Sequence, residues 1–233
     1  MGHTGHTGAA LSREVQIPSG PATLEGELNV PAGAEGVVLF AHGSGSSRHS
    51  PRNQFVARTI REAGVGTLLF DLLTREEEAV DIHTRHLRFD ISMLSRRLLS
   101  ATDWIKREGD TRHLRVGYFG SSTGGGAALV AAAERGEEVG AVVSRGGRPD
   151  LAGSDALQLV RSPTLLIVGG LDLPVIEMNE EAYAWLRCEK ELKIIPGASH
   201  LFEEPGKLEE VARLAAGWFR KYLQPGPDAE GKR

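Results

Sequence analysis

Two hydrophobic patterns divide this chain. Near the start, apolar and polar residues alternate through residues 13–17 and 23–30, with Pro18-Ser19-Gly20-Pro21 between them. A period of two marks strands with one buried face, and the Pro/Gly cluster marks a turn, so the pair predicts an antiparallel hairpin. Further on the pattern becomes short continuous apolar runs at 36–41, 66–70, 114–119, 140–144, 164–168 and 192–195. Such runs predict strands buried on both faces. Helical segments fall between them, at 53–63, 91–107, 125–135, 180–186 and 208–222. The last carries an apolar stripe through Val211, Leu214, Ala215, Trp218 and Phe219.

Repeated alternation of strand and helix predicts an α/β fold. The expected architecture is a mostly parallel sheet of about eight strands, an antiparallel edge from the hairpin, and helices on both faces. Residues 11–223 read as one domain. Residues 1–10, with Gly-His-Thr twice, and residues 224–233, with Pro225 and Pro227, read as flexible tails.

Composition narrows the function classes. The formal net charge of −4, with both signs interspersed, gives no electrostatic reason to expect nucleic acid or an anionic membrane as partner. Cys188 is the single cysteine, which rules out an intramolecular disulfide. No apolar stretch approaches the ~20 residues that span a bilayer, and the first residues lack the apolar core of a signal peptide. The expectation is a cytoplasmic protein, monomer or homodimer, acting on a small molecule.

In sheets of this kind ligands bind beyond the carboxyl ends of the strands, so the residues after each apolar run matter most. Gly120-Ser121-Ser122-Thr123-Gly124 follows one run and opens an Ala-rich helical segment. That is the form of a nucleophile elbow, a sharp strand-to-helix turn that lifts a serine hydroxyl above the sheet. Asp172 follows Gly169-Gly170-Leu171, and His200 follows Pro196-Gly197-Ala198-Ser199. A serine hydroxyl needs a neutral imidazole to take its proton, and the imidazole needs a carboxylate to orient it. Ser122, Asp172 and His200 supply these in the chain order typical of this architecture. The backbone N–H of Thr123 and one from Ser44 or Gly45 are candidate oxyanion donors. Gly43-Ser44-Gly45 resembles a phosphate cradle only superficially, since it lacks the P-loop lysine and the third glycine of a dinucleotide fingerprint. His83 and His86 have a spacing that suits a metal, but their charged surroundings favour a solvated loop face, and no metal site is expected.

Four segments together resemble the α/β-hydrolase superfamily and, within it, the dienelactone-hydrolase-like family. They are Ala41-His42-Gly43-Ser44-Gly45, Gly120-Ser121-Ser122-Thr123-Gly124, Val168-Gly169-Gly170-Leu171-Asp172 and Gly197-Ala198-Ser199-His200. The resemblance covers about residues 12–222. It implies a Ser122 nucleophile, a His200 base and an Asp172 acid, working without metal or organic cofactor. The chain departs from authentic dienelactone hydrolases by carrying serine where they carry cysteine, so general carboxylic-ester hydrolysis is the expected activity. Acyltransferase, thioesterase and peptidase chemistry share the same acyl step. A non-catalytic binding protein would be expected to have lost one of the three residues.

The short span between Ser144 and Thr164 leaves no room for a large helical lid. The segment 72–88, rich in Arg and Glu, makes a poor wall for a long acyl chain, so small or polar esters are expected. Arg48, Arg52, Arg145 and Arg148 lie in segments bordering the site. Of these, Arg48, Arg145 and Arg148 are the candidates for binding an anionic substrate, with surface salt bridging as the competing explanation.

Overall fold

A computed structural model describes residues 9–224; the expectations for the Gly-His-Thr repeat and for Pro225 and beyond lie outside the described residues. Strands β1 (Leu11–Ser19) and β2 (Ala22–Val30) form the expected hairpin, running from Leu11 opposite Val30 to Ser19 opposite Ala22. Along β2, Leu24, Gly26, Leu28 and Val30 turn inward, and the polar residues between them stay partly exposed.

Six further strands follow: β3 (Gly36–Ala41), β4 (Gly66–Phe70), β5 (Arg115–Ser121), β6 (Val139–Arg145), β7 (Thr164–Gly169) and β8 (Lys190–Ile195). All eight join one sheet in the order β1-β2-β4-β3-β5-β6-β7-β8. The β1–β2 and β2–β4 pairs are antiparallel and the rest are parallel. Every residue of β3, β4 and β7 is buried, because helices cover both faces.

On one face lie α3 (Ile91–Arg107), α4 (Thr123–Arg135), α5 (Gly153–Leu159) and α6 (Leu173–Trp185), and on the other α1 (Pro51–Glu62) and α7 (Lys207–Leu223). Helix α3 has the limits its periodicity predicts. Helix α6 begins seven residues ahead of the expected Glu180, immediately after Asp172. Its buried stripe is only Val175, Asn179 and Ala182, and the asparagine in it hides the period. The short α5, with Leu157 as its one buried residue, gave no usable signal.

The segment expected as charged loop contains a helix, α2 (Arg75–Thr84). Its sole buried residue is Asp81, so no apolar stripe announces it. Local chemistry forms it instead. Thr74 and Glu77 make a reciprocal capping box, and Glu76, Glu77 and Glu78 favour the positive end of the helix dipole. Glu77 also pairs with Arg97 of α3, and buried Asp81 accepts from the Leu87 amide at 2.7 Å and from Arg88 Nε at 2.6 Å.

The closest backbone-to-backbone approach at a glycine among the described residues lies where α4 meets the sheet. A Cβ on Gly124 would stand 2.0 Å from the Ala41 carbonyl oxygen, and one on Gly120 would stand 2.4 Å from the oxygen of Gly124. By contrast, Gly217 within α7 has open space around it. Gly124→Ala is therefore expected to lower unfolding free energy by about 3 kcal/mol or more. Gly217→Ala should raise it by up to ~1 kcal/mol, since alanine is the better helix former. Urea denaturation of both variants measures the two signs.

Candidate active site

Ser122 stands between β5 and α4 with φ 51° and ψ −123°, a backbone conformation that L residues seldom adopt. Such a residue costs of order 1–3 kcal/mol and persists only where its surroundings fix it. Here the Ser122 amide donates to the Arg145 carbonyl at 3.3 Å. Its own carbonyl accepts from Gly125 at 2.9 Å and from the Arg148 amide at 3.0 Å.

Asp172 and His200 are held by loops that bind each other. The Gly170 amide donates to Ile195 at 2.8 Å and the Leu171 amide to Ala198 at 3.0 Å, so the ends of β7 and β8 are joined before the side chains meet. His200 Nδ1 lies 2.6 Å from Asp172 Oδ2. An ionised carboxylate only accepts, so this contact favours the neutral tautomer with its proton on Nδ1 and its lone pair on Nε2. The ring rests against Gly146, where a Cβ would come within 3.5 Å of Nδ1 and Cε1. The loop 145–148 thus touches both Ser122 and His200, while no hydrogen bond joins the Ser122 hydroxyl to the His200 ring.

Asn179, invisible as a site residue in the sequence, fastens that loop. Its Nδ2 donates to the Gly147 carbonyl at 3.1 Å and to Val175 at 2.8 Å, and the residue is fully buried. An amide set in the buried stripe of an otherwise ordinary helix was the one available signal.

On the other side of Ser122, Gly43 approaches so closely that a Cβ there would be 3.1 Å from the Ser122 Cβ. Gly43 to Ser46 form a turn, with the Ser46 amide donating to Gly43 at 3.1 Å and Gly45 at positive φ. Among the described residues no acceptor takes the amides of Ser44, Gly45 or Thr123. Buried His42 holds the turn in place. Its Nδ1 donates to the Gly43 carbonyl at 2.9 Å, and its Nε2 accepts the Leu72 amide at 2.9 Å. Both roles require the neutral ring, and burial holds its pKa below the ordinary histidine value.

The arginines divide sharply. Arg48 pairs with Asp71 and Glu25, clamping the loop 43–51 to the sheet, and Arg148 grips Asp150 through Nε at 2.9 Å and Nη2 at 2.7 Å. Both were candidates for an anionic substrate, with salt bridging as the competing reading; each is paired with carboxylates of the chain. Arg145 has no such partner. A cavity of about 660 Å³ opens between the loop 45–52 and α2, lined among others by His49, Arg52, Asp71, Thr74 and Ile82.

The sheet order, the serine at positive φ on a strand-to-helix turn, and acid and imidazole on the two following loops define the α/β-hydrolase fold. Residues 24–223 match the model of the Dienelactone hydrolase family, and the chain belongs to that family. A crystal structure of dienelactone hydrolase from Anabaena variabilis is 63% identical, with a TM-score of 0.90, covering 92% of this chain and 99% of that one. Est1E from Butyrivibrio proteoclasticus shares the fold at 17% identity and TM-score 0.75, over 89% of this chain and 98% of its own. Two Mycobacterium tuberculosis proteins named "Putative phosphoribosyl transferase" are 56% identical over 215 residues, 92% of this chain and 47% of theirs. The chain spans about half the length of the curated relatives it matches. No helix among the described residues is long and apolar enough to cross a membrane.

Two outcomes follow from this geometry. Asn179→Ala leaves the Gly147 carbonyl buried and unpaired, so stability should fall by about 1–3 kcal/mol in thermal or urea unfolding. His42 is neutral in the fold but titrates near pH 6.5 when unfolded, so the unfolded chain takes up the extra proton as pH drops. Below pH 6.5 this residue therefore costs stability by up to ~1.4 kcal/mol per pH unit until its lowered folded pKa is reached. His42→Gln should flatten that acid limb between pH 6.5 and 5, measured by denaturation at a series of pH values.

Proposed function

We propose that the chain hydrolyses carboxylic esters of small or polar substrates through an acyl-enzyme on Ser122. The observation that carries this reading is the 2.6 Å His200–Asp172 hydrogen bond, together with a serine held at positive φ that touches the same loop, 145–148, as the imidazole. In the first step His200 Nε2 takes the hydroxyl proton as Ser122 Oγ attacks the ester carbon. The new C–O bond pushes the carbonyl π electrons onto oxygen. Asp172 keeps the ring in the required tautomer and offsets the imidazolium charge.

The oxyanion is placed to receive the Thr123 amide and that of Ser44 or Gly45, with the positive end of α4 beneath it. Collapse of the adduct expels the alcohol, which takes the proton from His200. Water then repeats the sequence on the acyl-enzyme, releasing the acid and restoring Ser122. Each step uses protein groups and water alone, so no metal or organic cofactor enters.

Serine at this position makes the general base indispensable, because an unassisted hydroxyl is a far weaker nucleophile than a thiolate. The charged segment 72–88, of which Thr74, Arg75 and Glu78 line the cavity beside Gly45, supports small or polar esters over long acyl chains. The transferase name belongs to proteins about twice as long. Phosphoribosyl transfer forms its bond at a sugar carbon, whereas the groups around Ser122 suit attack on an acyl carbon.

Labelling by a fluorophosphonate, read by intact mass, together with hydrolysis of p-nitrophenyl acetate, tests the reading. Wild type should gain one phosphonyl group on Ser122. Ser122→Ala should gain none and lose about three orders of magnitude or more in kcat/KM. A variant keeping a tenth of the rate would contradict it.

A further inference from the structure

Among the described residues the sheet ends in two strands, β1 and β8, and the two edges differ. Strand β1 carries Pro18, which has no N–H to offer a further strand. Strand β8, Lys190-Glu191-Leu192-Lys193-Ile194-Ile195, has no such block and buries only Ile195. Its Ile194 is one of the large apolar side chains left exposed in the fold.

The ladder shows which backbone groups of β8 are free. The Thr164 amide donates to the Glu189 carbonyl at 2.9 Å and the Gly170 amide to that of Ile195 at 2.8 Å, so the odd-numbered residues of this segment face β7. Within a strand the N–H and C=O of one residue point to the same side, and successive residues alternate. Lys190, Leu192 and Ile194 therefore direct their amides and carbonyls into the open edge.

Open edges recruit other strands, and folds commonly blunt them with charge, lysine above all. Here the charges have both signs, and their order makes the edge complementary to itself. In an antiparallel pair, residues with outward backbone groups must meet one another. A two-fold axis at Leu192 achieves this, placing Leu192 opposite the partner's Leu192 and Lys190 opposite the partner's Ile194. The same register sets Glu191 opposite the partner's Lys193, and Lys193 opposite the partner's Glu191. These are the non-hydrogen-bonded positions, where facing side chains stand closest. Registers centred on Glu191 or on Lys193 put like charges directly opposite, which is unfavourable. Within one chain Glu191 and Lys193 lie 3.1 Å apart and about half exposed, so a partner reaches them without desolvating a buried charge. On the other face of the strand, Ile194 gains the aliphatic stem of the partner's Lys190 as a cover.

We propose that β8 is a self-association edge, through which two copies of this chain pair antiparallel in the register centred on Leu192 and join their sheets. Because the paired strands run in opposite directions, the two Ser122 sites open at opposite ends of the joined sheet. Each site is complete within its own chain, and nothing in the pairing depends on the chemistry at Ser122. Pairing also steadies the strand whose last residue, Ile195, accepts the Gly170 and Ala198 amides beneath Asp172 and His200.

Sedimentation velocity on the whole chain at micromolar concentration reads the association directly. Wild type should sediment with the mass of two chains; a wild-type monomer overturns the proposal. Lys193→Glu leaves only carboxylates at the two facing positions, and Glu191→Lys only ammonium groups. Each substitution alone should therefore raise the dissociation constant about tenfold or more. Mixing the two single variants should restore a dimer, because every facing pair then joins opposite charges, and the double variant Glu191→Lys/Lys193→Glu should dimerise by itself. Damage to the fold of either single variant would not be repaired by mixing, so recovery separates pairing from folding. Single variants that associate as tightly as wild type, or a mixture and a double variant that both stay monomeric, overturn the proposal.

Discussion

The contact between the start of α4 and the end of β3 sets the geometry of everything above it. Because Gly124 has no side chain, the helix can settle against the Ala41 carbonyl. That closeness forces the chain to reverse within one residue, and Ser122 takes the left-handed conformation that results. The same approach brings the Gly43 turn against Ser122 and leaves the amides of Thr123, Ser44 and Gly45 without internal partners. Backbone strain at Ser122 and three unpartnered amides beside it are thus results of one packing requirement.

Around that joint the protein invests in rigidity where the reacting groups sit. Asn179 anchors the loop 145–148, His42 ties the Gly43 turn to Leu72, and the ends of β7 and β8 bind each other beneath Asp172 and His200. These ties come from buried polar groups on otherwise apolar elements, and their hydrogen bonds are directional where apolar packing is not. The strained serine and the unpartnered Arg145 oppose folding. Stability given up at a site in exchange for a prepared geometry is a common pattern in enzymes.

Much of this was legible in the sequence. The change from alternating to continuous apolar runs separated the hairpin from the central parallel strands, because burial of one or both faces writes a different period, whereas the edge strand β8, also expected to be buried on both faces, buries only Ile195. Ser122, Asp172 and His200 stood out because glycines sit beside each, where the backbone must turn or pack closely. Less legible were elements stabilised by polar contacts. Helix α2 rests on a capping box and a buried aspartate, and the first turns of α6 carry an asparagine where an apolar residue would have signalled the period. The arginines were ambiguous for another reason. Sequence placed Arg48, Arg145 and Arg148 near the site, but which of them meets a carboxylate depends on Asp71, Glu25 and Asp150, and the Arg48 partners come from within β2 and just beyond β4.

The central claim is that Ser122, the free amides and the His200–Asp172 pair act on one acyl carbon. A crystal structure of the protein after reaction with a methyl phosphonate ester tests this most directly. The account predicts phosphorus bonded to Ser122 Oγ, one phosphonyl oxygen within hydrogen-bonding distance of the Thr123 amide and of Ser44 or Gly45, and His200 Nε2 turned toward the bridging oxygen. Phosphorus on another residue, or a phosphonyl oxygen directed into solvent away from those amides, would contradict it.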